Sequence, residues 1–437
     1  MPPRNRVERM VTPEAILDRN NLNQAWKRVV ANKGSAGVDG MEVQDLLPHM
    51  LEHGPELVQS IKEGRYKPQP VLRVLIPKEE KGKFRPLGIP TAVDRLVQQA
   101  VQQKLSEEYE KVFSDSSHGF RPKRSCQTAI EQSLRLANEG YVWVVDLDLA
   151  KFFDTVNHSK LLQLLSERIK DGRVISLIQK FLRAPVLEDG ETTPNTIGTP
   201  KGGPISPTLA TNIMLNELDK KLEERGHPFV RYADDMMIFC KSRKAAERTL
   251  ANIKPFIEKK LFLKLNEDKT KIRYIGNTNV KFLGFGFYAT KEGKIKAKPH
   301  QKSKDKCVKR LKEITSRSRG QSLEAFRKQL SEFVRGWVNY FLKSDMTIFV
   351  RDTDQWLRRR IRQIYWKQWK KVGTKYSALK KLGLSPSKAW QHANTRKSYW
   401  HIANSWILAT TLTNRFLREM GWVCLGDVYK KRDQGCY

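Results

Sequence analysis

Three aspartates lie at places in the sequence where acidic side chains are poorly tolerated. Asp148 ends an apolar, strand-like run, and Asp234 and Asp235 interrupt the apolar run from 229 to 240. A carboxylate embedded in an apolar strand is costly unless it is paired or bound to a metal. Two strands that deliver acids to one spot would bind hard divalent cations such as Mg²⁺ through oxygen. Two such ions about 4 Å apart can activate a 3′-hydroxyl and stabilise a leaving pyrophosphate.

Both parts of this carboxylate set have an alternative interpretation. Aspartate is common at turns, so Asp234 and Asp235 are also compatible with a tight hairpin turn that binds no metal. Asp146 competes with Asp148 for the first position, because alternate residues of a strand lie on the same face.

The elements that must position these side chains follow from periodicity and turn signals. Residues 141–149 are rich in β-branched and aromatic residues, which predicts a strand. Residues 229–240 predict two strands joined by a turn at Tyr232-Ala233-Asp234-Asp235, and residues 71–90 predict a hairpin with a basic tip. Helices are predicted at 13–33, 94–112, 157–181, 208–225 and 244–260, a short strand pair or a bend at 281–287, and almost continuous helix from 303 to 399. This order is typical of an α+β region followed by an all-α region.

The charge of the chain predicts a polyanionic partner. The 437 residues suggest two or three domains and include 81 Lys and Arg against 47 Asp and Glu, a net charge of +34. Residues 291–371 hold 24 basic and 8 acidic residues, and residues 372–437 hold 11 and 3, so the last third carries +24. Nucleic acid is the first expected partner and an anionic membrane surface the second.

Cysteine usage and hydropathy favour an intracellular protein over a secreted or membrane protein. The 5 cysteines form no C-x-x-C pair, which argues against a disulfide framework or a cysteine-rich zinc module. The N-terminus leads into no apolar signal-peptide core, and no run approaches the roughly 18 apolar residues of a membrane span. A reducing cytoplasm is therefore the expected compartment.

Several sequence blocks carry a resemblance to a known family. Tyr232-Ala233-Asp234-Asp235 resembles the active-site box of reverse transcriptases, and Asp148 followed by Phe153 resembles their first metal-binding motif. Further blocks occur in the order found in the group II intron branch of that family: His118-Gly119-Phe120-Arg121-Pro122, the string from Val145 to His158, the block from Thr199 to Pro207, and Gly336-Trp337-Val338-Asn339-Tyr340-Phe341. The resemblance runs from about Leu17 to near the C-terminus.

The resemblance implies an architecture. The fold would be an α+β right-hand polymerase, with fingers and a palm built on an antiparallel sheet, followed by an all-α thumb or maturase domain and a small basic C-terminal region. The implied divisions are 1–90 for an N-terminal extension and fingers, 91–290 for the palm with the remaining fingers, 291–371 for the helical thumb, and 372–437 for a DNA-binding-like region.

The resemblance also implies roles for individual residues. Asp148, Asp234 and Asp235, helped by the carbonyl of Leu149, would hold two Mg²⁺ ions, with Mn²⁺ as an alternative metal. Asp148 is preferred over Asp146 because its spacing to Phe153 fits the family.

Around these ligands, further residues would handle the nucleotide and the primer. Phe153 would exclude a 2′-hydroxyl by bulk, although Phe152 is an alternative and either residue can be ordinary core. The other implied contacts are Lys78 and Arg85 on the triphosphate, Lys269 (or Lys271) as proton donor to pyrophosphate, and Phe282-Leu283-Gly284 at the primer end. Lys201 stands where the family usually has Gln near the nucleotide, which puts nucleotide selectivity and fidelity in question.

The segment from Trp356 to Lys371 interleaves basic and aromatic residues. At helical spacing Ile361, Ile364 and Tyr365 share an apolar face, so most of these aromatics are expected in the core while the charged face binds phosphates. The expected primer or template contacts are Arg121, Arg358, Arg359, Arg362 and Lys367.

The implied protein is a bacterial group II intron-encoded reverse transcriptase and maturase of the compact, group IIC-like type. It would lack the metal-bearing endonuclease domain of other family members, since only Cys424 and Cys436 follow Trp406 and no metal-spaced His/Cys set exists. Its partners would be intron RNA, an RNA template with a DNA primer, dNTPs and target DNA, in the bacterial cytoplasm or on the nucleoid. The alternatives are an RNA-binding splicing maturase with weak polymerase activity and a reverse transcriptase domesticated for host defence or repair.

Overall fold

The computed structural model describes residues 11–433, except 78–81, 200, 201, 278, 279, 317 and 319. The predicted sites Lys78 and Lys201 lie outside the described residues. The chain divides into two compact units at the boundary between Tyr274 and Ile275. No helix among the described residues combines the length and the apolar character needed to cross a membrane.

The first unit mixes helices and strands, as predicted. Its helices are α1 (Pro13–Ile16), α2 (Arg19–Ala31), α3 (Leu46–Lys62), α4 (Ala92–Tyr109), α5 (Cys126–Asn138), α6 (Phe152–Thr155), α7 (His158–Arg168), α8 (Gly172–Leu182), α9 (Leu215–Glu224) and α10 (Arg243–Lys259). Its strands are β1 (Val71–Pro77), β2 (Phe84–Ile89), β3 (Trp143–Leu147), β4 (Val186–Glu188), β5 (Glu191–Thr193), β6 (Phe229–Tyr232), β7 (Asp235–Cys240) and β8 (Lys271–Tyr274).

Two predicted long helices are each divided by an aspartate. The Asp18 side chain accepts hydrogen bonds from the backbone N–H groups of Asn20 and Asn21, so α2 starts there and α1 ends before it. Asp171 accepts in the same way from the N–H of Arg173 and begins α8 after α7 has ended. A short acidic side chain satisfies the otherwise unpaired first N–H groups of a helix, which favours a new start over continuation.

The third difference concerns the helix predicted over 208–225. Its first part, Thr208–Met214, is a π-helix in which every residue is buried, and α9 continues from it. Short π-helical segments are rare and occur frequently beside functional sites.

Two sheets organise the first unit. The strands of one are ordered β2-β1-β4-β5, and β1 pairs with β2 as the predicted hairpin, with Pro77 opposite Phe84 at the end where residues 78–83 connect them. The other, which we call the central sheet, is ordered β6-β7-β3-β8 and is antiparallel throughout. Val145 and Leu147 of β3 and Ile238 of β7 belong to one continuous apolar core that packs the helices against this sheet.

The second unit begins with a small sheet and continues as helices. The sheet is ordered β11-β10-β9, from strands β9 (Lys281–Phe282), β10 (Phe285–Ala289) and β11 (Ile295–Pro299). The helices are α11 (Gln301–Ile314), α12 (Leu323–Phe341), α13 (Thr347–Gln368), α14 (Val372–Lys381), α15 (Pro386–Ala393), α16 (Tyr399–Ile402), α17 (Trp406–Thr411), α18 (Asn414–Glu419) and α19 (Leu425–Asp433).

The expectation that residues 291–371 are all helical is therefore wrong at their start. Ile295, Ala297 and Pro299 are buried while Lys296 and Lys298 are not, which is the period-2 burial of a strand that covers one face. The expected short strand pair at 281–287 and the helices from 303 onward are confirmed.

Candidate active site

The register of the central sheet brings the predicted carboxylates together. The last pair of β3 with β7 sets Leu147 opposite Met236, and Asp148 and Asp235 are the next residues of the two segments beyond that pair. Like charges on neighbouring antiparallel strands are destabilising. The pair is therefore set up to gain from a cation between the two carboxylates.

Asp234 lies in the two-residue turn that joins β6 to β7, as predicted. Tyr232 pairs with Asp235 across this turn, and Ala233 has φ of +58°. A non-glycine residue in the left-handed region is strained by about 1–3 kcal/mol, so the surrounding contacts must hold it.

A buried arginine supplies one of those contacts. Arg231 on β6 is fully buried, and its guanidinium forms an ion pair with the equally buried Asp219 of α9. The same guanidinium donates to the carbonyl oxygens of Thr211, at 2.6 Å, and of Ala233, at 2.9 Å. Burial raises the pKa of Asp219, and the charge of Arg231 opposes that shift. This pair was not predicted from the sequence, although an arginine inside an apolar strand is a signal that points to a buried partner.

The block around His118 supplies the other contact. The His118 N–H donates to the Arg231 carbonyl at 2.8 Å, and Gly119 lies against the turn. A Cβ added to Gly119 would come within 2.3 Å of the Ala233 nitrogen. Only glycine therefore fits this approach without moving the turn.

Asp148 is held from the other side by the chain that precedes β8. Its carbonyl oxygen accepts from the Asn266 N–H at 2.9 Å, and its own N–H donates to the Thr270 hydroxyl at 3.2 Å. Lys269 lies in the turn between these two residues, with its Nζ 3.6 Å from Oδ2 of Asp148. The lysine side chain is 68% exposed, so this ion pair is weak and easily broken.

These groups line one large cavity. Its volume is about 1390 Å³, and all of its lining residues belong to the first unit. The predicted site residues among the lining are Asp148, Leu149, Asp234, Asp235, Phe153, Arg85 and Lys269. Asp146 is not among them. Burial raises the pKa of Asp146 to about 6; the charge of Arg273 opposes this shift, and the charge of Asp148 adds to it.

Phe153 is presented to this cavity by a tightly bonded turn. Its neighbour Phe152 is buried in the core, whereas Phe153 is half-buried and lines the cavity. The Phe153 carbonyl accepts from the Thr199 N–H at 2.7 Å, and the His158 ring bonds to the Gly198 carbonyl at 2.6 Å. These contacts hold the Phe153 carbonyl and the His158 ring against residues 198 and 199.

The donor set suits a hard divalent cation. The cavity offers carboxylate oxygens from Asp148, Asp234 and Asp235, which are the ligands that Mg²⁺ prefers. Over the described residues, no three His, Cys, Asp or Glu side chains are already gathered around one point. The ligand types therefore suit a divalent metal ion, but the described side chains are not already arranged around one metal position.

The predicted primer-gripping segment forms a tight turn between β9 and β10. Leu283 and Gly284 have φ of +50° and +82°. Their carbonyl oxygens accept from the Tyr340 hydroxyl at 2.9 Å and the Ser303 hydroxyl at 2.8 Å. Phe282 is buried, whereas Leu283 and Gly284 are half-buried.

Some basic residues that were predicted to contact nucleic acid make contacts within the protein instead. The Arg121 side chain is only 2% exposed and binds Glu110 together with the carbonyls of Ser114 and Ser117. This burial argues against a direct contact between Arg121 and a nucleic acid.

The arginines of α13 also make internal contacts. Arg358 pairs with Asp354 at 3.4 Å, Arg359 lies 3.6 Å above the Trp400 ring, and Arg362 donates to the Leu412 carbonyl at 3.1 Å. Lys367 is exposed. The apolar face predicted for this helix is confirmed, since Ile361, Ile364 and Tyr365 are all buried.

Comparison with known proteins gives matches along both units. Residues 76–287 match the family "Reverse transcriptase (RNA-dependent DNA polymerase)", and residues 304–383 match "Group II intron, maturase-specific domain". A solved structure, the partial Cas6-RT-Cas1–Cas2 complex, aligns over 56% of this chain and 42% of that chain, at 24% identity and a TM-score of 0.36. A structural similarity of this size says nothing about function.

Two bacterial proteins align with more than 60% of this chain. The group II intron-encoded protein LtrA of Lactococcus lactis subsp. cremoris is 34% identical over 336 residues, 62% of this chain and 55% of that protein. Protein YkfC of Escherichia coli K12 is 34% identical over 319 residues, 64% of this chain and 82% of that protein. The alignment thus spans about half of LtrA and most of YkfC. On these matches, the chain belongs to the family of group II intron-encoded reverse transcriptases and maturases.

Proposed function

We propose that this chain is an RNA-directed DNA polymerase that copies RNA into cDNA and also binds intron RNA to assist splicing and retrohoming. One observation carries the proposal: Asp148, Asp234 and Asp235, from two adjacent strands and the turn beside them, line one cavity with Phe153 and Arg85. Metal-binding carboxylates, a bulky ring and a cation in one cavity are what nucleotidyl transfer needs.

The architecture proposed for this function is a right hand. The hairpin of β1 and β2 belongs to the fingers, the central sheet is the palm, and the helices from α11 to α13 form the thumb. The divisions at 90, 290 and 371 remain those expected from the sequence. The helices after residue 371 are proposed to contact target DNA.

In the proposed mechanism, Asp148, Asp234 and Asp235 would hold two divalent cations, which would supply Lewis acidity for the primer hydroxyl and neutralise phosphate charge. The primer 3′-hydroxyl loses its proton to solvent, its oxygen bonds to the α-phosphorus of a dNTP, and the bond from that phosphorus to the bridging oxygen breaks. Lys269 gives its proton to the departing pyrophosphate. Its exposed ion pair with Asp148 at 3.6 Å keeps the ammonium close at little energetic cost.

Substrate selection is proposed to depend on the other walls of the cavity. Phe153 lies under the deoxyribose and excludes a 2′-hydroxyl by contact. Arg85 is exposed on β2 and lines the cavity, where its guanidinium suits the triphosphate. Lys78 and Lys201 are proposed to add further contacts to phosphate.

Primer extension on an RNA template tests the proposal. The native protein should extend a DNA primer with dNTPs and Mg²⁺, and the Asp234→Ala/Asp235→Ala variant should not. Polymerisation that persists in that variant would show that the site is misassigned. The intron-binding part is tested by splicing of a transcript of the DNA that flanks the gene, with and without the protein.

An RNA-binding splicing maturase with weak polymerase activity is the second candidate. The observation that favours it is Lys201, which replaces the usual Gln of the family. A native protein that supports splicing but extends primers only as the Lys201→Gln variant would establish this alternative.

A further inference from the structure

A second cavity lies among the helices of the second unit. Its volume is about 480 Å³, and α11, α13 and α16 contribute its walls. Ligand pockets in proteins commonly occupy about 300–1,000 Å³, so this space is large enough for a small planar group. None of its lining residues belongs to the proposed polymerase site.

One face of α13 supplies the floor of this cavity. Trp356, Arg360 and Gln363 are spaced at i, i+4 and i+7, which places them on the same side of a helix. Gln363 is only 8% exposed and lines the cavity. Its side-chain amide carries both hydrogen-bond donors and an acceptor, so it can pair with a ligand that has both.

The walls present flat aromatic surfaces backed by guanidinium groups. Trp356 and Trp400 are half-buried and both line the cavity. The guanidinium of Arg360 lies 5.2 Å from the centre of the Trp356 ring, and that of Arg359 lies 3.6 Å from the centre of the Trp400 ring. Indole faces and guanidinium planes are the surfaces on which unstacked nucleobases lie in proteins.

The rim of the cavity is cationic and already ordered. Arg360 donates to the Thr315 hydroxyl at 2.6 Å and to the Lys312 carbonyl at 3.1 Å, so its charge is fixed in place. The side chain of Lys312 is exposed beside it, and Ser316 adds a hydroxyl. Phosphate next to a bound base and a ribose 2′-hydroxyl would find partners here.

We propose that this cavity, the α11–α13–α16 pocket, binds one unpaired nucleobase of a folded RNA. The inference deepens the proposed function and rests on its RNA-binding part, because all lining residues except Trp400 fall within the maturase-specific match at 304–383. RNA is the expected ligand because folded RNA displays unstacked bases in bulges and loops, which a protein reads by stacking and by base-edge hydrogen bonds. Gln363 supplies the edge contact and Trp356 the stacking surface.

The test uses the full chain and two labelled RNA hairpins. One carries a single bulged 2-aminopurine, and the other is fully paired and of the same length. We expect the native protein to bind the bulged hairpin about tenfold more tightly by fluorescence anisotropy, and the 2-aminopurine emission to be quenched on binding. Equal affinities, with no quenching, would overturn the proposal.

Two pocket variants and one matched control complete the test. Gln363→Leu removes the amide while keeping the volume, and Trp356→Ala removes the stacking surface, so each should reduce the tenfold preference to about one. Trp390→Ala removes a tryptophan that is 56% exposed and outside the pocket, and it should keep the preference. Because Trp356→Ala can weaken the fold, Gln363→Leu decides: a preference that persists in it overturns the assignment.

Two further experiments distinguish binding of an RNA base from binding of a DNA base, and the pocket from the polymerase site. A DNA hairpin with the same bulge should show no preference, and an equal preference for it would overturn the assignment to RNA. Primer extension by Gln363→Leu should match that of the native protein, whereas Asp234→Ala/Asp235→Ala should lose extension and keep the bulge preference. A native protein that prefers the bulge but extends no primer would refute the polymerase and leave the pocket standing.

Discussion

The Arg231 guanidinium and the Asp219 carboxylate form an ion pair that is closed to solvent, and the same guanidinium holds the Ala233 carbonyl of the carboxylate-bearing turn. Asp219→Ala leaves a buried charge without its partner, so we expect it to lower the free energy of unfolding by roughly 3–5 kcal/mol. Urea denaturation measures the loss. A change below about 1 kcal/mol would contradict the importance given to this pair.

A double variant separates stability from positioning. Arg231→Met/Asp219→Leu removes both charges and keeps apolar volume, so it should recover most of the stability lost in the single variant. Primer extension should stay low, because Ala233 at φ of +58° loses the hydrogen bond that holds its carbonyl. Full activity in the double variant would show that the pair only stabilises the fold.

The location of Asp148 and Asp235 in one cavity, at the same end of β3 and β7, predicts a stabilising effect of divalent cations. Mg²⁺ that binds only the folded protein should raise the melting temperature as its concentration passes the dissociation constant. Asp148→Asn should abolish this rise without needing any assay of activity. Glu258→Gln, which changes an exposed carboxylate of α10, is the matched control and should behave like the native protein. An undiminished rise in Asp148→Asn would contradict the metal assignment.

Phe153 and Phe152 should have different effects when they are changed. Phe153→Ala opens the cavity, so the ratio of ribonucleotide to deoxyribonucleotide incorporation should rise by about tenfold or more. Phe152→Leu alters a buried core residue and should cost roughly 1 kcal/mol of stability while leaving that ratio unchanged. Single-nucleotide extension with each triphosphate gives the ratio. A ratio that changes in Phe152→Leu but not in Phe153→Ala would assign the sugar contact to Phe152.

Gly119 should be sensitive to a single added methyl group. A Cβ there meets the Ala233 nitrogen at 2.3 Å, so Gly119→Ala should cost about 1–3 kcal/mol and sharply reduce primer extension. Gly172→Ala adds the same atom at the start of α8, where nothing lies within 4 Å, and should change stability by less than about 1 kcal/mol. Comparable losses in the two variants would show that crowding of the turn is not the cause.

Substitution of Arg362 should lower stability, whereas substitution of Lys367 should weaken RNA binding. Arg362→Ala removes the bond to the Leu412 carbonyl and should lower the melting temperature. Lys367→Ala changes an exposed charge and should weaken RNA binding, reducing the salt slope of the affinity by about one, with little change in melting temperature. A lowered melting temperature in Lys367→Ala would contradict this division.

Features that depend on residues close together in the sequence were predicted, whereas contacts between residues far apart in the sequence were not. The turn at Asp234 and the strand before Asp148 were predicted because their signals are local: alternating apolar residues on each side of an acidic turn. The new helix starts at Asp18 and Asp171 were missed because a capping side chain can overrule a continuous helical pattern.

The contacts that were missed join residues far apart in the chain. Periodicity along β6 cannot show that Arg231 pairs with Asp219 on a helix, nor that Gly119 lies against Ala233. For the same reason Arg121 was expected to meet nucleic acid although its side chain is enclosed by Glu110 and two carbonyls. Composition predicts that such charges exist, and only the fold decides which of them remain available to a ligand.

The strand order of the central sheet also has a consequence for the time at which activity first appears. β3 must wait for β7, roughly 90 residues later, and for β8, roughly 125 residues later, before its hydrogen bonds can form, and such distant pairings form slowly. At about 5–20 residues per second, translation of that interval takes roughly 6–25 seconds. A nascent chain that stops before β8 contains Asp148, Asp234 and Asp235 but lacks the strand that pairs with β3 on its other side, so unfinished products of translation should be unable to copy the RNA around them.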